Sequence, residues 1–215
     1  MATILITGAN RGIGKALADD YRARGDRVIA TARDGSGNVV LDVANPESHA
    51  ALARSLGDTA IDLLVCNAGV YLDKGQTLDG GYPAQMWAQT MAANVTGVFL
   101  SIQSLLPALR RADQPKIAII SSQMASQERA PGGSYIYRAS KAAALNVGRN
   151  LAVDLRPDGI AVGIFHPGWV QTDMGGSAAD ITMDQAATGL MQRFDVLSMQ
   201  STGCFETWDG RAHPM

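Results

Sequence analysis

Residues 2–14 read Ala2-Thr3-Ile4-Leu5-Ile6-Thr7-Gly8-Ala9-Asn10-Arg11-Gly12-Ile13-Gly14, and their order decides the fold. The apolar, β-branched start predicts a short strand. The three glycines predict a turn, and the pattern from about Ile13 to Arg24 predicts an amphipathic helix. Strand, glycine-rich turn and helix form a setting for a dinucleotide phosphate. Gly8 permits a tight turn, Gly12 lets backbone approach a pyrophosphate, and Gly14 lets the helix pack on the strand. The helix N-terminus offers free N–H groups and the positive end of its dipole to the anion. A plain surface turn could carry the same residues, and the spacing differs from the commonest Gly-x-Gly-x-x-Gly.

Working outward, strands and helices alternate. Further strands are predicted at Arg27–Ala32, Asn38–Leu41, Ile61–Cys66, Lys116–Ile120, Ile160–Phe165 and Gly203–Glu206. Helices are predicted from Pro46 to about Leu56, Pro83 to about Arg111, Ser134 to about Leu155 and Met183 to about Leu197. The fourth strand is nearly all apolar, as one buried on both faces should be. This alternation predicts a single α/β domain over residues 1–215: a Rossmann-type, doubly wound parallel sheet of about seven strands, order 3-2-1-4-5-6-7. Ligands of such sheets bind beyond the strand C-termini.

The chain has 215 residues, 47% hydrophobic and 18% charged, which suits one domain with a full core. A net charge of −2 gives no reason to expect nucleic acid or an anionic membrane as partner. No apolar run is expected to span a bilayer, and the N-terminus enters a strand at once, so a cytoplasmic location is expected. Cys66 and Cys204 lie in strand-like runs and read as buried free thiols, with no metal site expected.

The stretch Ser134-Tyr135-Ile136-Tyr137-Arg138-Ala139-Ser140-Lys141 opens a long helix. Tyr137 and Lys141 are one turn apart on one face. An ammonium beside a phenol favours its ionised form, so the Tyr137 pKa is expected to fall toward working pH. Tyr137 is then a candidate general acid/base. Ser121 and Ser122 end the fifth strand and could polarise a carbonyl; a simple turn would place them there too. Asn94 lies mid-helix, where asparagine is a poor helix former, and suggests a kink or water site. Residues 175–182 are small and polar and read as a mobile lid.

Together these residues resemble the classical short-chain dehydrogenases/reductases over nearly the whole chain. Thr7-Gly8-x-x-x-Gly12-x-Gly14 is similar to the family's cofactor glycines. Asp42-Val43 resembles its adenine contact, Asn67-Ala68-Gly69 its turn after the fourth strand, and Pro167-Gly168 with Val170 and Thr172 its nicotinamide-side loop. Asn94, Ser122, Tyr137 and Lys141 fall where its catalytic tetrad should, with Ser121 and Ser126 as alternative serines. The wording from His166 to Gly175 most resembles C-factor-like and Sniffer-like carbonyl reductases. The region after Thr172 is trimmed relative to many members.

The resemblance implies a nicotinamide-dependent enzyme that moves hydride between cofactor and a small carbonyl or alcohol substrate. Tyr137 would exchange the proton, Ser122 would hydrogen-bond the oxygen, Lys141 would hold the ribose, and Asn94 would position a relay water. Asn10, Arg11 and Ile13 join the glycines as implied cofactor contacts, and Tyr137 and Lys141 count among them. NADP(H) is expected over NAD(H), because the second strand ends in Arg33 rather than an acid. Arg11 is the second expected phosphate clamp. Met124, Trp169, Met174 and residues 175–200 are expected to line an apolar pocket. A homodimer is expected through Val95, Val98, Ile102, Leu105, Val147 and Leu151. The rival reading is a catalytically idle nucleotide sensor or a signalling protein of C-factor type.

Overall fold

The computed structural model describes all 215 residues. Seven strands form one sheet: β1 (Thr3–Ile6), β2 (Arg27–Ala32), β3 (Val39–Val40), β4 (Leu63–Cys66), β5 (Lys116–Ile120), β6 (Ala161–His166) and β7 (Phe205–Thr207). Their order is β3-β2-β1-β4-β5-β6-β7, and every pairing is parallel. The helices are α1 (Gly12–Ala23), α2 (Pro46–Leu56), α3 (Ala84–Met91), α4 (Gly97–Leu109), α5 (Tyr135–Asp154) and α6 (Met183–Val196). The doubly wound architecture is the one the alternation predicts.

The pleat divides strand side chains between two cores. Leu5, Leu64, Ile117, Ile119, Val162 and Ile164 enter one, with Leu52 of α2, Ile102 of α4 and Leu145 of α5. Ile4, Ile6, Leu63, Val65, Ala118 and Phe165 enter the other, with Leu17 and Tyr21 of α1 and Leu190 and Phe194 of α6. Each such buried aliphatic or phenyl side chain contributes about 1.5–3 kcal/mol. The strand ends are therefore held rigidly from both sides. A Cβ on Gly148 would lie 2.7 Å from Ile164 Cγ1 and 2.9 Å from Ile119 Cδ1, closer than real Cβ atoms come. Glycine lets α5 rest directly on β5 and β6, which fixes where its first turn falls.

Several expectations need correction. Only Val39 and Val40 pair at the sheet edge, because Asn38 turns to Arg22 and Leu41 enters the core. The last strand starts at Phe205, and Cys204 before it is only partly buried. Both cysteines are free. Burial pushes the Cys66 thiol up to about 12 and Cys204 up to about 11, so neither is a thiolate near neutrality.

The helix expected from Pro83 is α3 and α4 joined by a π-helical turn, Ala92–Thr96, that contains Asn94. Such a wide turn commonly marks a functional position. The continuous helical run Ala84–Leu109 has 26 residues and holds an 18-residue window of mean hydropathy 1.4, long and apolar enough to cross a bilayer, against expectation. Its apolarity is used inside the fold, where Val98, Ile102 and Leu105 are only 5%, 1% and 1% exposed. Those three face the sheet and are not available to a dimer partner. Phe99 on α4 and Tyr135 and Val153 on α5 are the large apolar side chains left exposed along these two helices.

Candidate active site

The glycine loop is built by β1, β4 and the start of α1. Thr7 Oγ1 accepts from the N–H groups of Asn67 and Ala68 at 3.0 Å each. Asn67 Nδ2 donates to the carbonyls of Thr7 at 3.0 Å and Gly8 at 2.9 Å. Gly8 has φ +66°, and a Cβ there would come within 2.9 Å of Ala68 Cα. A Cβ on Gly14 would run into the Gly8 carbonyl and the Asn67 amide. Gly14 thus makes room for the loop itself rather than for a strand, and Asn67-Ala68-Gly69 braces that loop. Gly12, at φ +55°, faces open space, with Thr172 Cγ2 its one neighbour at 3.8 Å. Arg11 is the N-cap of α1 and supplies no side-chain cap, as does no other residue. The first-turn N–H groups are therefore left for an anion, which fits a dinucleotide pyrophosphate.

Around this loop, Arg33 is exposed at the end of β2. Asn10 Nδ2 donates to Asp34 Oδ2 at 3.3 Å. Asp34, adjacent to Arg33 in sequence and passed over there, is held below the usual carboxylate range by the Ser36 hydroxyl and N–H. Arg11 Nη1 pairs with Asp173 Oδ2 at 2.9 Å with both side chains exposed, so it is not free as a clamp in this state. Asp42 Oδ1 accepts from Ala44 N–H at 3.0 Å. Val43 lies against Gly97, where a Cβ would be 2.8 Å from the Val43 carbonyl. Ile13 is half-buried in the first turn of α1.

The second cluster lies where β5 ends against α5. Ser121 Oγ donates to the Lys141 carbonyl at 3.1 Å, and Ser126 Oγ to the Met215 carbonyl at 3.3 Å, so both turn away. Ser122 Oγ accepts from Met124 N–H at 3.1 Å and faces the Tyr137 hydroxyl. Lys141 Nζ donates to the Ile120 carbonyl at 2.9 Å and lies 5.6 Å from the Tyr137 ring centroid. Asn94 Oδ1 accepts from Val70 N–H at 2.8 Å, while its Nδ2 donates to the Val70 carbonyl and to Ser140 Oγ at 2.9 Å each. Both amide protons are thus committed within the protein. A Cβ on Gly69 would lie 3.1 Å from Asn94 Oδ1 and 3.7 Å from Lys141 Nζ, so the two clusters meet there.

The Tyr137 pKa is displaced upward, opposite to the sequence expectation. Burial is the main cause, and Tyr71, stacked on its ring at 4.2 Å, and Asp73 add to it. Ser122 pulls the other way. Lys141 does not reverse the balance, although its own pKa, pushed down by burial to about 8, still leaves it an ammonium at neutral pH. The phenol holds its proton, the state a general acid needs. Sequence reading missed Tyr71 and Asp73 because they lie in a stretch without periodicity; an aromatic and an acid just after Asn67-Ala68-Gly69 were the available signal.

The loop after β6 closes the site. Gly168 has φ +92°, and a Cβ there would strike Trp208 and Ile181. Pro167 precedes it; Val170 bridges to Ile181, and Thr172 Oγ1 accepts from Gly175 N–H at 3.0 Å. Residues 175–182, expected as a mobile lid, are pinned through Gly176 N–H to Thr172, Gln171 Nε2 to Ala179 and Trp169 Nε1 to Gly175. Met174 Sδ stands 3.9 Å from the Tyr137 hydroxyl. Trp169 lines a cavity of about 320 Å³ with Gln123, Arg129, His166, Trp208 and His213. Neither Met124 nor Met174 of the expected apolar pocket lines this cavity, and neither Ser122 nor Tyr137 opens into it. Ala186, Ala187, Leu190 and Phe194 of α6 are buried and do not face it, because α6 must cover the sheet.

Comparisons with known proteins agree with this geometry. A family model described as short chain dehydrogenase matches residues 2–181. A 1-hydroxy-2-glutathionyl-2-methyl-3-butene dehydrogenase from Rhodococcus sp. (strain AD45) is 35% identical over an alignment of 227 residues, covering 98% of each chain. Among solved structures, the carbonyl reductase Sniffer of D. melanogaster aligns with TM-score 0.92 at 26% identity, covering 100% of both chains. An NADPH-bound carbonyl reductase from chicken fatty liver aligns with TM-score 0.90 at 28% identity, covering 100% of this chain and 99% of its own. With glycine loop, serine, tyrosine and lysine gathered beyond the C-terminal ends of the central strands as described, this chain belongs to the short-chain dehydrogenases/reductases, NAD(P)-dependent oxidoreductases acting on C=O and CH–OH groups.

Proposed function

We propose that the protein is an NADP(H)-dependent carbonyl reductase. The observation that carries this reading is the protonated, buried Tyr137 phenol facing Ser122 and one helical turn from Lys141, beside a helix N-terminus with no cap of its own. The backbone of Gly12, Ile13 and Gly14 would hold the pyrophosphate, with Gly8 and Asn67-Ala68-Gly69 shaping the loop. Asp42 and Val43 would border the adenine, and Pro167, Gly168, Val170 and Thr172 the nicotinamide. A bound nicotinamide cofactor would supply the reducing equivalent to the carbonyl carbon.

The chain's own residues do the rest. Tyr137 donates its proton to the substrate oxygen, and Ser122 hydrogen-bonds that oxygen as charge develops. Lys141, held by the Ile120 carbonyl, offers its ammonium to ribose hydroxyls and limits the cost of ionising Tyr137. Asn94 holds the loop at Val70, so any relay water would be held by other atoms than its amide protons. NADP(H) preference rests on exposed Arg33 and on Arg11, which would exchange Asp173 for a phosphate; Asp34, turned to Ser36 and Asn10, opposes it. The NADPH- and NADP-bound neighbours support the same preference.

One observation favours the idle-sensor reading: Met174 Sδ occupies the approach to the Tyr137 hydroxyl. A fluorescence titration with NADPH followed by turnover of aromatic aldehydes, ketones and quinones separates the two. Turnover supports the reductase; NADPH binding without turnover supports the sensor. A homodimer through the exposed Phe99 and Val153 faces is part of the same proposal, and a monomer by light scattering at micromolar concentration would reject it. Two unpaired cysteines support a reducing, cytoplasmic setting. A small-molecule substrate, with no nucleic acid or membrane partner, completes the reading.

A further inference from the structure

Helix α5, which carries Tyr137, does not cap itself. Its N-cap residue, Ser134, has φ +48° and ψ 41°, a left-handed conformation unusual for serine, and makes no side-chain cap. Its hydroxyl is engaged by the Tyr71 hydroxyl at 2.5 Å. The missing acceptor comes from 63 residues upstream. Asp73, 0% exposed, accepts from the N–H of Ile136 at 2.9 Å and of Tyr137 at 3.2 Å. A carboxylate at this end of a helix is favoured by the dipole, and its bonds to N–H groups offset its burial.

The segment that presents Asp73 grips the rest of the site. Val70 is held in both directions by Asn94 of the π-helical turn. Tyr71 stacks on Tyr137. Lys74 Nζ donates to the Met174 carbonyl at 3.0 Å. A side-chain cap made by residue 134 itself would satisfy the helix as well. A cap from the loop after β4 does something more: it ties the height of Tyr137 to the strand edge that carries the cofactor turn.

We propose that Asp73 is a positioning residue for Tyr137, locking the first turn of α5 in register with the loop after β4. This inference rests on the carbonyl reductase reading. The groups around the phenol are Tyr71 and Asp73 on one side, Ser122 at the end of β5, Lys141 one turn along α5, and the Met174 thioether from the loop after β6. Asp73 is the one acidic side chain among them, and the smallest of the influences that raise the phenol pKa.

The test compares wild type with Asp73→Ala and Asp73→Asn, the second keeping an oxygen to accept an N–H while removing the charge. NADPH affinity, kcat for an aromatic aldehyde, the pH profile of oxidation of the corresponding alcohol, and melting temperature are measured for each. Asp73→Ala is expected to lose about ten- to a hundredfold in kcat, the scale of a small misplacement, with NADPH affinity nearly unchanged. Asp73→Asn is expected to move the basic limb of the oxidation profile to lower pH, since a neutral neighbour no longer opposes the phenolate. A lower melting temperature with both pH profile and kcat unmoved would reduce Asp73 to a helix cap and overturn the proposal. If wild type turns over no carbonyl, the reductase reading fails by itself. The proposal is then read on the enzyme labelled with 13Cζ-tyrosine, the Tyr137 signal being assigned with Tyr137→Phe. A displaced Tyr137 signal in Asp73→Ala relative to wild type supports it, and an unmoved signal overturns it.

Discussion

The two helices that open onto the site, α1 and α5, begin without a side-chain cap from their own N-cap residues, and they use the vacancy in opposite ways. At Arg11 the first-turn N–H groups of α1 are left open beside glycines that keep side chains away. At Ser134 the N–H groups of α5 are filled by the buried carboxylate of Asp73. An open helix end is a place for an exchangeable anion; a filled one is a fixed point. The first suits a cofactor that comes and goes, and the second suits a phenol that must not move.

The largest expected effect lies at the filled end. Tyr137→Phe keeps the stacked ring and removes the proton. General acid/base groups contribute on the order of 10²–10⁴ in rate, and a kcat loss of at least that size is expected with NADPH affinity nearly unchanged. Near-normal turnover would show that the fixed end holds no catalyst.

A buried polar group can also be neither open nor filled, and His166 is that case. Its Nδ1 has no hydrogen-bond partner, and burial, with His213 and Arg129 nearby, pushes its pKa down to about 4. A free histidine titrates near 6.5, so the unfolded chain binds more protons between those values and stability falls as pH drops from about 6.5 to 4. The full penalty is roughly 3 kcal/mol. Melting curves across that window should show the loss, and His166→Asn should flatten it; an unchanged slope would refute the assignment.

The open end is probed through the phosphate it would receive. Hydrogen bonds to charged groups are worth about 1.5–3 kcal/mol, so Arg33→Ala should weaken NADPH by roughly ten- to a hundredfold while NADH binds almost as before. Equal losses for both cofactors, or tighter wild-type binding of NADH, would overturn the NADP(H) assignment.

The smallest effect makes the comparison sharpest. Arg11→Asp would give α1 the carboxylate cap that α5 borrows. A cap of this kind is worth about 0.5–2 kcal/mol, so the apo protein should melt slightly higher while NADPH affinity falls. A variant that gains stability and still binds NADPH normally would mean that the open end is not where the phosphate sits.

The difference between the two ends also explains what could be read from residues alone. Loop spacing from Thr7 to Gly14 is local and could be read, although the groups that crowd Gly8 and Gly14 include Ala68 and Asn67 of the distant turn after β4. The parallel sheet and its order follow from apolar runs alternating with helical ones, since the pleat sorts every strand into two cores. Tyr137 and Lys141 share a face by helical periodicity alone. Charge state did not follow from that periodicity: the reading of a lowered phenol pKa counted one neighbour, whereas burial, Tyr71 and Asp73 outweigh it.

What the amino-acid order determined by itself was whatever depends on short range: strand, turn, helix, and the four-residue spacing of phenol and ammonium. The tertiary structure alone decided which serine faces Tyr137, that Val98, Ile102 and Leu105 point inward, that α6 covers the sheet rather than the pocket, and that Asp73 caps a helix 63 residues away. Those outcomes depend on contacts between segments distant in sequence, whose geometry is set only once the two cores close and desolvate the groups between them.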